Sequence, residues 1–121
     1  MITSREAMLL KNFNDAFNRH DAQGMLALMT EDCIFENTFP APDGTRYQGY
    51  ISVKKFWDEF FASSLQARIK IEEMFVSQEW GVQRWIYRWK DAQGVAGHVR
   101  GVDVFRFRDG KIAEKLSYVK G

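Results

Sequence analysis

The chain has 121 residues, of which 45% are hydrophobic and 27% charged, a composition typical of one globular domain. The formal net charge of +1 indicates no nucleic-acid partner, and no apolar run is long enough to span a membrane. The single cysteine excludes an internal disulfide, and the first residues lack a signal-peptide pattern. We therefore expect one cytoplasmic domain over residues 1–121.

The first half of the chain predicts three helices. Apolar residues at helical spacing indicate a first helix that ends near residues 18–20, with Thr3 or Ser4 as its N-cap. Asp21 is the expected N-cap of a shorter helix that ends at residues 30–32. The third helix, over residues 51–63, is rich in aromatic side chains that suit a core or a pocket wall: Phe56, Trp57, Phe60 and Phe61.

Strands are predicted between and after these helices. Residues 33–39 alternate as a strand with Phe35, Asn37 and Phe39 on one side, and residues 46–48 form a short returning strand. Long strands are expected over residues 67–79, 82–90 and 99–119, the last being a hairpin. In the second of them, the alternation places Trp85, Tyr87 and Trp89 on one face and Arg84, Ile86 and Arg88 on the other.

The hairpin over residues 99–119 turns at Asp109-Gly110 and carries one acidic residue on an apolar face. Asp103 shares that face with Phe105 and needs a partner or a cavity. A two-residue turn would pair Asp103 with Leu116. A three-residue loop with a bulge would place Lys115 opposite Asp103, with Ser117 on the same face. In the second register, Asp103 and Lys115 form an ion pair.

Helices in the first half and strands in the second indicate an α+β fold. We expect a long curved antiparallel sheet with three helices across one face, which together form a cone. The apolar interior of such a cone is the natural place for a small-molecule site.

Three segments suggest a family. They are Asn-Arg-His-Asp at residues 18–21, Met-Thr-Glu-Asp-Cys-Ile-Phe-Glu-Asn at residues 29–37 and Gly-Val-Asp-Val-Phe-Arg-Phe-Arg-Asp-Gly-Lys-Ile at residues 101–112. With the order of elements, they resemble the nuclear-transport-factor-2-like (cystatin-like) superfamily, in particular its SnoaL-like and ketosteroid-isomerase-like members. The resemblance covers essentially the whole chain and implies a homodimer through the outer sheet face. Because this fold hosts many activities, it does not imply one function.

The resemblance to the ketosteroid isomerases implies an incomplete catalytic set. The position of their general base is Asn37, whose amide cannot accept a proton, and that of their oxyanion tyrosine is Phe13, which lacks a hydroxyl. Their second oxyanion donor, a carboxyl that those enzymes keep neutral in an apolar site, is retained as Asp103. Steroid isomerisation by that mechanism is therefore not expected.

The resemblance to the limonene-epoxide hydrolases is also incomplete. Their strand asparagine and central arginine match Asn37 and Arg84. Their two carboxylates, one of them shared in role with SnoaL-type cyclases, fall on Ile86 and Ser117. The residues that line the pocket are thus expected to be present, while the carboxylates that catalyse the known reaction are absent.

Asp103 is the candidate catalytic residue, as an acid or an orienting group; the alternative is a structural carboxylate bonded to Lys115 or Arg84. His98 is a second candidate base, and His20 is expected to be exposed. Ser117 has no base nearby in the sequence, which argues against a nucleophilic role. The expected pocket lining consists of Asn37, Arg84, Lys115, Ser117, Phe13, Phe35, Phe39, Phe105 and Trp57.

No metal-ligand pattern or phosphate loop occurs, so we expect no metal and no cofactor. Two functions remain open. The first is a binder of a small apolar molecule with acid–base catalysis of an isomerase, hydrolase or cyclase type. The second is a non-catalytic binding or interaction module whose pocket is filled by side chains.

Overall fold

The computed structural model describes residues 4–121, so the predicted cap Thr3 lies outside the described residues. The helices are α1 (Arg5–Asn18), α2 (Ala22–Leu26) and α3 (Tyr50–Ser63). The strands are β1 (Met29–Glu36), β2 (Arg46–Gln48), β3 (Arg68–Ser77), β4 (Trp80–Lys90), β5 (Ala96–Arg108) and β6 (Lys111–Val119). None of the helices within residues 4–121 is both long and apolar enough to cross a membrane.

The two predicted helix caps within the described residues are present. The Ser4 hydroxyl accepts a hydrogen bond from the Ala7 amide at 3.0 Å, and the Asp21 carboxylate accepts one from the Gly24 amide at 2.9 Å. Each bond satisfies one of the free amides of a first helical turn. The second helix is shorter than predicted, because β1 already begins at Met29.

The first strand also ends earlier than predicted, at Glu36. The side-chain oxygen of Asn37 accepts hydrogen bonds from the amides of Thr45, at 2.8 Å, and Phe39, at 3.2 Å. An asparagine that binds backbone two residues ahead starts a turn rather than extending a strand. Asn37 and Phe39 therefore lie in the loop between β1 and β2.

The strands form one sheet in the order β2-β1-β6-β5-β4-β3. The predicted α+β cone is confirmed, but the sheet is mixed rather than wholly antiparallel. The pair β1–β6 is parallel, while the other neighbouring strands are antiparallel. A parallel pair requires a long crossover, which the chain between β1 and β6 supplies.

The main core lies between α1 and the inner face of the sheet. Phe13 of α1 meets Phe105 of β5 edge to face, with ring centroids 6.2 Å apart, and both rings are almost wholly buried. Such aromatic pairs contribute about 0.5–1.5 kcal/mol beyond the burial of their area. The helix α3 adds Trp57 and Phe61, which pack against Phe17 of α1.

The hairpin β5–β6 has a register that neither sequence-based alternative contained. Asp109 and Gly110 both have positive φ, at 55° and 73°, as a two-residue type I′ turn requires. One extra residue in β6, Ala113, then forms a bulge that shifts the register. Asp103 therefore lies opposite Ser117, rather than opposite Leu116 or Lys115.

Cys33 of β1 has no exposed surface, and burial raises the pKa of its thiol from 9.0 to about 11. A thiol that keeps its proton more tightly in the folded state stabilises the fold below pH 9, and this stabilisation is lost as the pH rises from 9 to 11. From pH 8 to pH 10, we expect the wild type to lose about 1.4 kcal/mol more than Cys33→Ala in urea unfolding. Parallel pH profiles of the two proteins would contradict this prediction.

Candidate ligand-binding site

A cavity of about 670 Å³ opens between α3 and the inner face of the sheet. Its volume lies within the range of about 300–1,000 Å³ that is typical of small-molecule sites. The walls are mainly aromatic: Phe17, Phe35, Phe56, Trp57, Phe60, Trp85, Tyr87 and Trp89. This space is open, so the filled pocket considered from the sequence is not what the structure shows.

Glycines on β5 make room for the large rings of β4. Gly101 lies opposite Trp85 and Gly97 opposite Trp89 in the strand register. A Cβ atom at Gly101 would lie 2.6 Å from two ring atoms of Trp85, and one at Gly97 would lie 2.5 Å from the ring of Trp89. Both indoles therefore lie close against the neighbouring strand.

At the floor of the pocket, Asp103, Lys115 and Ser117 form a hydrogen-bonded cluster. The Ser117 hydroxyl donates to Oδ1 of Asp103 at 2.7 Å, and Lys115 Nζ donates to the Ser117 hydroxyl at 2.8 Å. Lys115 Nζ is also 3.4 Å from the same Oδ1, which makes the predicted ion pair. The side chains of Asp103 and Lys115 are 1% and 10% exposed, so this pair is largely shielded from water.

A pair of buried amides supports the other carboxylate oxygen. Gln83 Nε2 donates to Oδ2 of Asp103 at 3.0 Å, and the Gln83 amide exchanges two hydrogen bonds with the amide of Asn14, at 2.8 and 3.0 Å. Neither Gln83 nor Asn14 was among the residues predicted from the sequence. The alternation along β4 puts Gln83 on the same inner face as Trp85. This was the signal in the sequence that could have identified Gln83 as a residue near the pocket.

Asp103 is surrounded by donors. Gln83, Ser117 and Lys115 all donate to its oxygens, so the carboxylate acts as an acceptor of protein hydrogen bonds. This arrangement suits an anchor that holds Ser117 and Lys115 in place. The sequence offers no base near Ser117, but the register brings the carboxylate of Asp103 within hydrogen-bond distance of its hydroxyl.

Lys115 is held among aromatic rings. Its Nζ lies 4.8 Å from the ring centre of Phe35 and 5.6 Å from that of Trp57, both within the range of cation–π attraction. Lys115, Phe35 and Trp57 all line the cavity. The ammonium is therefore the cationic group at the pocket floor.

Two further donors belong to the pocket walls. The indole nitrogens of Trp57 and Trp85 are buried and have no hydrogen-bond partner among the described residues. Leaving a buried N–H unpaired costs about 1–3 kcal/mol. Nearby, burial raises the pKa of the Tyr87 phenol above its ordinary value, so that this wall residue stays neutral.

The remaining predicted lining residues fall into two groups. Asn37 and Phe39 line the cavity from the β1–β2 loop. The side-chain oxygen of Asn37 accepts a hydrogen bond from the backbone amide of Thr45 there. Phe13 and Phe105 lie in the core and do not line this cavity. The placement of Arg84 in the pocket was wrong: its guanidinium is on the outer face, 3.0 Å from Glu73.

The histidines lie apart from the pocket floor. His20 is half-buried rather than exposed, because its ring stacks on Phe61 and its Nε2 lies 2.7 Å from the Ala67 carbonyl oxygen. His98 is exposed and alternates with the inward-facing residues of β5, so it is on the outer face. No group of three or more potential metal ligands of the His, Cys, Asp and Glu types occurs in the part of the chain described.

The fold and this site define a small α+β cone with an aromatic cavity and a shielded ion pair at its floor. The chain belongs to the SnoaL-like domain family, whose model matches residues 10–115, within the nuclear-transport-factor-2-like superfamily. No curated protein matches the chain.

Solved structures share this fold over nearly the whole chain. An NTF2-like protein of unknown function from Mesorhizobium loti is 38% identical, with a TM-score of 0.81 over 97% of this chain and 92% of that one. A Mycobacterium tuberculosis protein in complex with estradiol-17β-hemisuccinate is 24% identical, with a TM-score of 0.81 over 96% and 94%. TerC, co-crystallised with polyporic acid, is 17% identical, with a TM-score of 0.83 over 97% and 92%.

Proposed function

We propose that the protein binds a small, mostly apolar molecule in the cone, with an oxygen atom of that molecule at Lys115. The observation that carries this proposal is an open aromatic cavity of about 670 Å³ with a shielded ammonium at its floor. The ligands of the Mycobacterium tuberculosis protein and of TerC support it by analogy of fold. At their low identity to this chain, the likeness extends to the fold alone.

The polar groups around the cavity favour a ligand that accepts hydrogen bonds. Lys115 presents a donor at the cavity floor, whereas both oxygens of Asp103 already receive protein hydrogen bonds. A carbonyl, carboxylate or enolate oxygen fits such a set, and a ligand with only donor groups does not. We therefore infer a planar, apolar body that carries at least one acceptor oxygen.

The same groups are suited to acid–base chemistry on a bound carbonyl compound. The ammonium of Lys115 would stabilise negative charge that develops on the ligand oxygen. In this scheme Asp103 and Ser117 are positioning residues, since they hold Lys115, and solvent water in the open cavity takes the α-proton and returns a deuteron to the carbon in D₂O. Exchange of the α-hydrogens of bound 2-acetonaphthone for deuterium, followed by NMR, tests this step; no exchange above the background rate would contradict it.

A ring-matched series of naphthalenes tests binding, with tryptophan fluorescence as the readout. We expect 2-naphthoate and 2-acetonaphthone to bind at least about tenfold more tightly than 2-ethylnaphthalene, since one added hydrogen bond contributes about 1.4 kcal/mol. Lys115→Met should remove the preference for 2-naphthoate and 2-acetonaphthone over 2-ethylnaphthalene. The exposed Lys120 offers a matched control, Lys120→Met, which should leave all three affinities unchanged.

The outcomes separate two failures. If no naphthalene binds, the proposal of an apolar ligand in the cone is wrong. If all three bind equally, the cavity takes apolar molecules but Lys115 does not select them. Because Lys115→Met removes a buried charge partner, the double variant Asp103→Asn/Lys115→Met serves as a second, electroneutral test of the same preference.

We also propose that the protein is a homodimer through its outer sheet face. Phe75, Val82, Val104 and Leu116 are cross-strand neighbours in a row over four strands, and we call them the outer apolar row. Phe75 is 58% exposed. Light scattering should give twice the chain mass for the wild type and a smaller mass for Val104→Glu; a monomeric wild type would contradict the proposal.

A further inference from the structure

A shallow groove of about 580 Å³ lies along the outer side of strands β3, β4 and β5, at the end away from Phe75. Its lining contains five basic side chains and no carboxylate: Arg68, Lys70, Arg88, Lys90 and His98. All five are exposed. The whole chain carries a formal charge of only +1, so positive charge is concentrated in this groove.

The strand register places like charges side by side. Arg68 pairs with Arg88, and Arg88 pairs with His98, so that three basic residues form one row across three strands. Directly opposite side chains have Cβ atoms about 4.5–5.5 Å apart, and like charges at that spacing destabilise a sheet. We call these three residues the basic row.

Other arginines of the same sheet are neutralised. Arg84 pairs with Glu73, Arg100 with Glu72, Arg106 with Glu79 and Glu114, and Arg108 with Asp32. By contrast, Arg68, Lys70, Arg88 and Lys90 make no ion pair within residues 4–121. Arg84 and Arg88 lie on the same strand and the same face, so they form a natural comparison.

We propose that this groove is an anion-binding site that takes a phosphate group. Two guanidinium groups side by side match the oxygens of a phosphate, since arginine forms paired hydrogen bonds with that ion. The flanking Lys70 and Lys90 add positive charge around the row. The phosphate is either the free ion or the terminal group of a larger phosphate ester.

The basic row is distinct from the polar floor of the pocket, although the groove and the cavity share the lining residues Gln66, Ile69, Trp89 and Lys90. The basic row is on the outer face of the sheet, whereas the ammonium of Lys115 is on the inner face. It is also separate from the outer apolar row, which lies near the opposite ends of β3 and β4. A dimer through the outer apolar row therefore does not require the groove to be covered.

The test is an NMR titration of the full chain with inorganic phosphate at constant ionic strength, with chloride as the reference anion. We expect saturable shifts of the amides of Lys70, Arg88 and His98, and at least a tenfold weaker phosphate affinity for Arg88→Gln. Arg84→Gln should keep the wild-type affinity within about twofold. Arg68→Gln provides a second loss variant if Arg88→Gln does not fold.

Parallel titrations with glycerol 2-phosphate and with sulfate identify the source of the anion. Tighter binding of the ester than of inorganic phosphate assigns the groove to a larger phosphate compound, and the reverse assigns it to the free ion. Equal shifts with phosphate and chloride, or equal phosphate affinities for Arg88→Gln and Arg84→Gln, would overturn the proposal. The groove would then be a solvated basic surface.

Discussion

Replacing Lys115 by methionine is expected to lower the free energy of unfolding by about 3 kcal/mol, because it leaves the carboxylate of Asp103 buried without its counter-ion. Asp103→Asn should lower the free energy of unfolding by less, about 2 kcal/mol. The ammonium that it leaves unpaired lies at the floor of an open pocket rather than in the core. The double variant Asp103→Asn/Lys115→Met removes both charges and should be within about 1 kcal/mol of the wild type. Urea unfolding of the four proteins measures this cycle.

Lys11→Met is the control for this cycle, because Lys11 forms an exposed ion pair with Asp15 at 3.0 Å. Such surface pairs contribute about 0–1 kcal/mol, so the control should change the stability little. A double variant as unstable as the Lys115→Met protein would show that Ser117 and Gln83, rather than the opposite charges, hold the cluster together.

Gly101→Ala is the second change with a large expected effect. Its new methyl group would lie 2.6 Å from ring atoms of Trp85 and would also meet the backbone oxygen of Tyr118, which cannot move aside. We expect a loss of about 3 kcal/mol in the free energy of unfolding, the upper end of the range for overpacking. The displaced indole should also narrow the cavity and weaken binding of 2-naphthoate.

Gly94→Ala serves as the comparison. Gly94 has a φ of 80°, and no atom lies within 4 Å of the place that a methyl group would take, so only backbone strain opposes alanine there. That strain costs about 1 kcal/mol. If both alanine variants lose the same stability, the contact of Gly101 with Trp85 does not constrain the pocket wall.

Local sequence patterns were sufficient for much of the fold. Alternation in β4 placed Arg84 on the face opposite Trp85, and the structure has it there. The resemblance to epoxide hydrolases assigned Arg84 to the pocket, which the structure contradicts. At this position a geometric rule about strands was more reliable than the transfer of a role from other proteins.

Other features depend on contacts between distant segments. The bulge at Ala113 coincides with a register shift in the β1–β6 pair. Rules for hairpins describe only the two strands β5 and β6, so they cannot predict an effect of β1. The bond between Asn14 and Gln83 joins residues 69 positions apart. The alternation along β4 indicates that Gln83 faces inward, but only the packing of α1 shows which group satisfies it.

The bulge at Ala113 has a consequence for how such pockets diversify. Before it, Ile112 faces inward, and after it Lys115 and Ser117 do. If the same residues paired regularly, with no bulge at Ala113, Glu114 and Leu116 would face inward instead, because a shift by one reverses the faces of a strand. The bulge at Ala113 thus determines whether the pocket floor is cationic or acidic, while the rest of the scaffold stays the same.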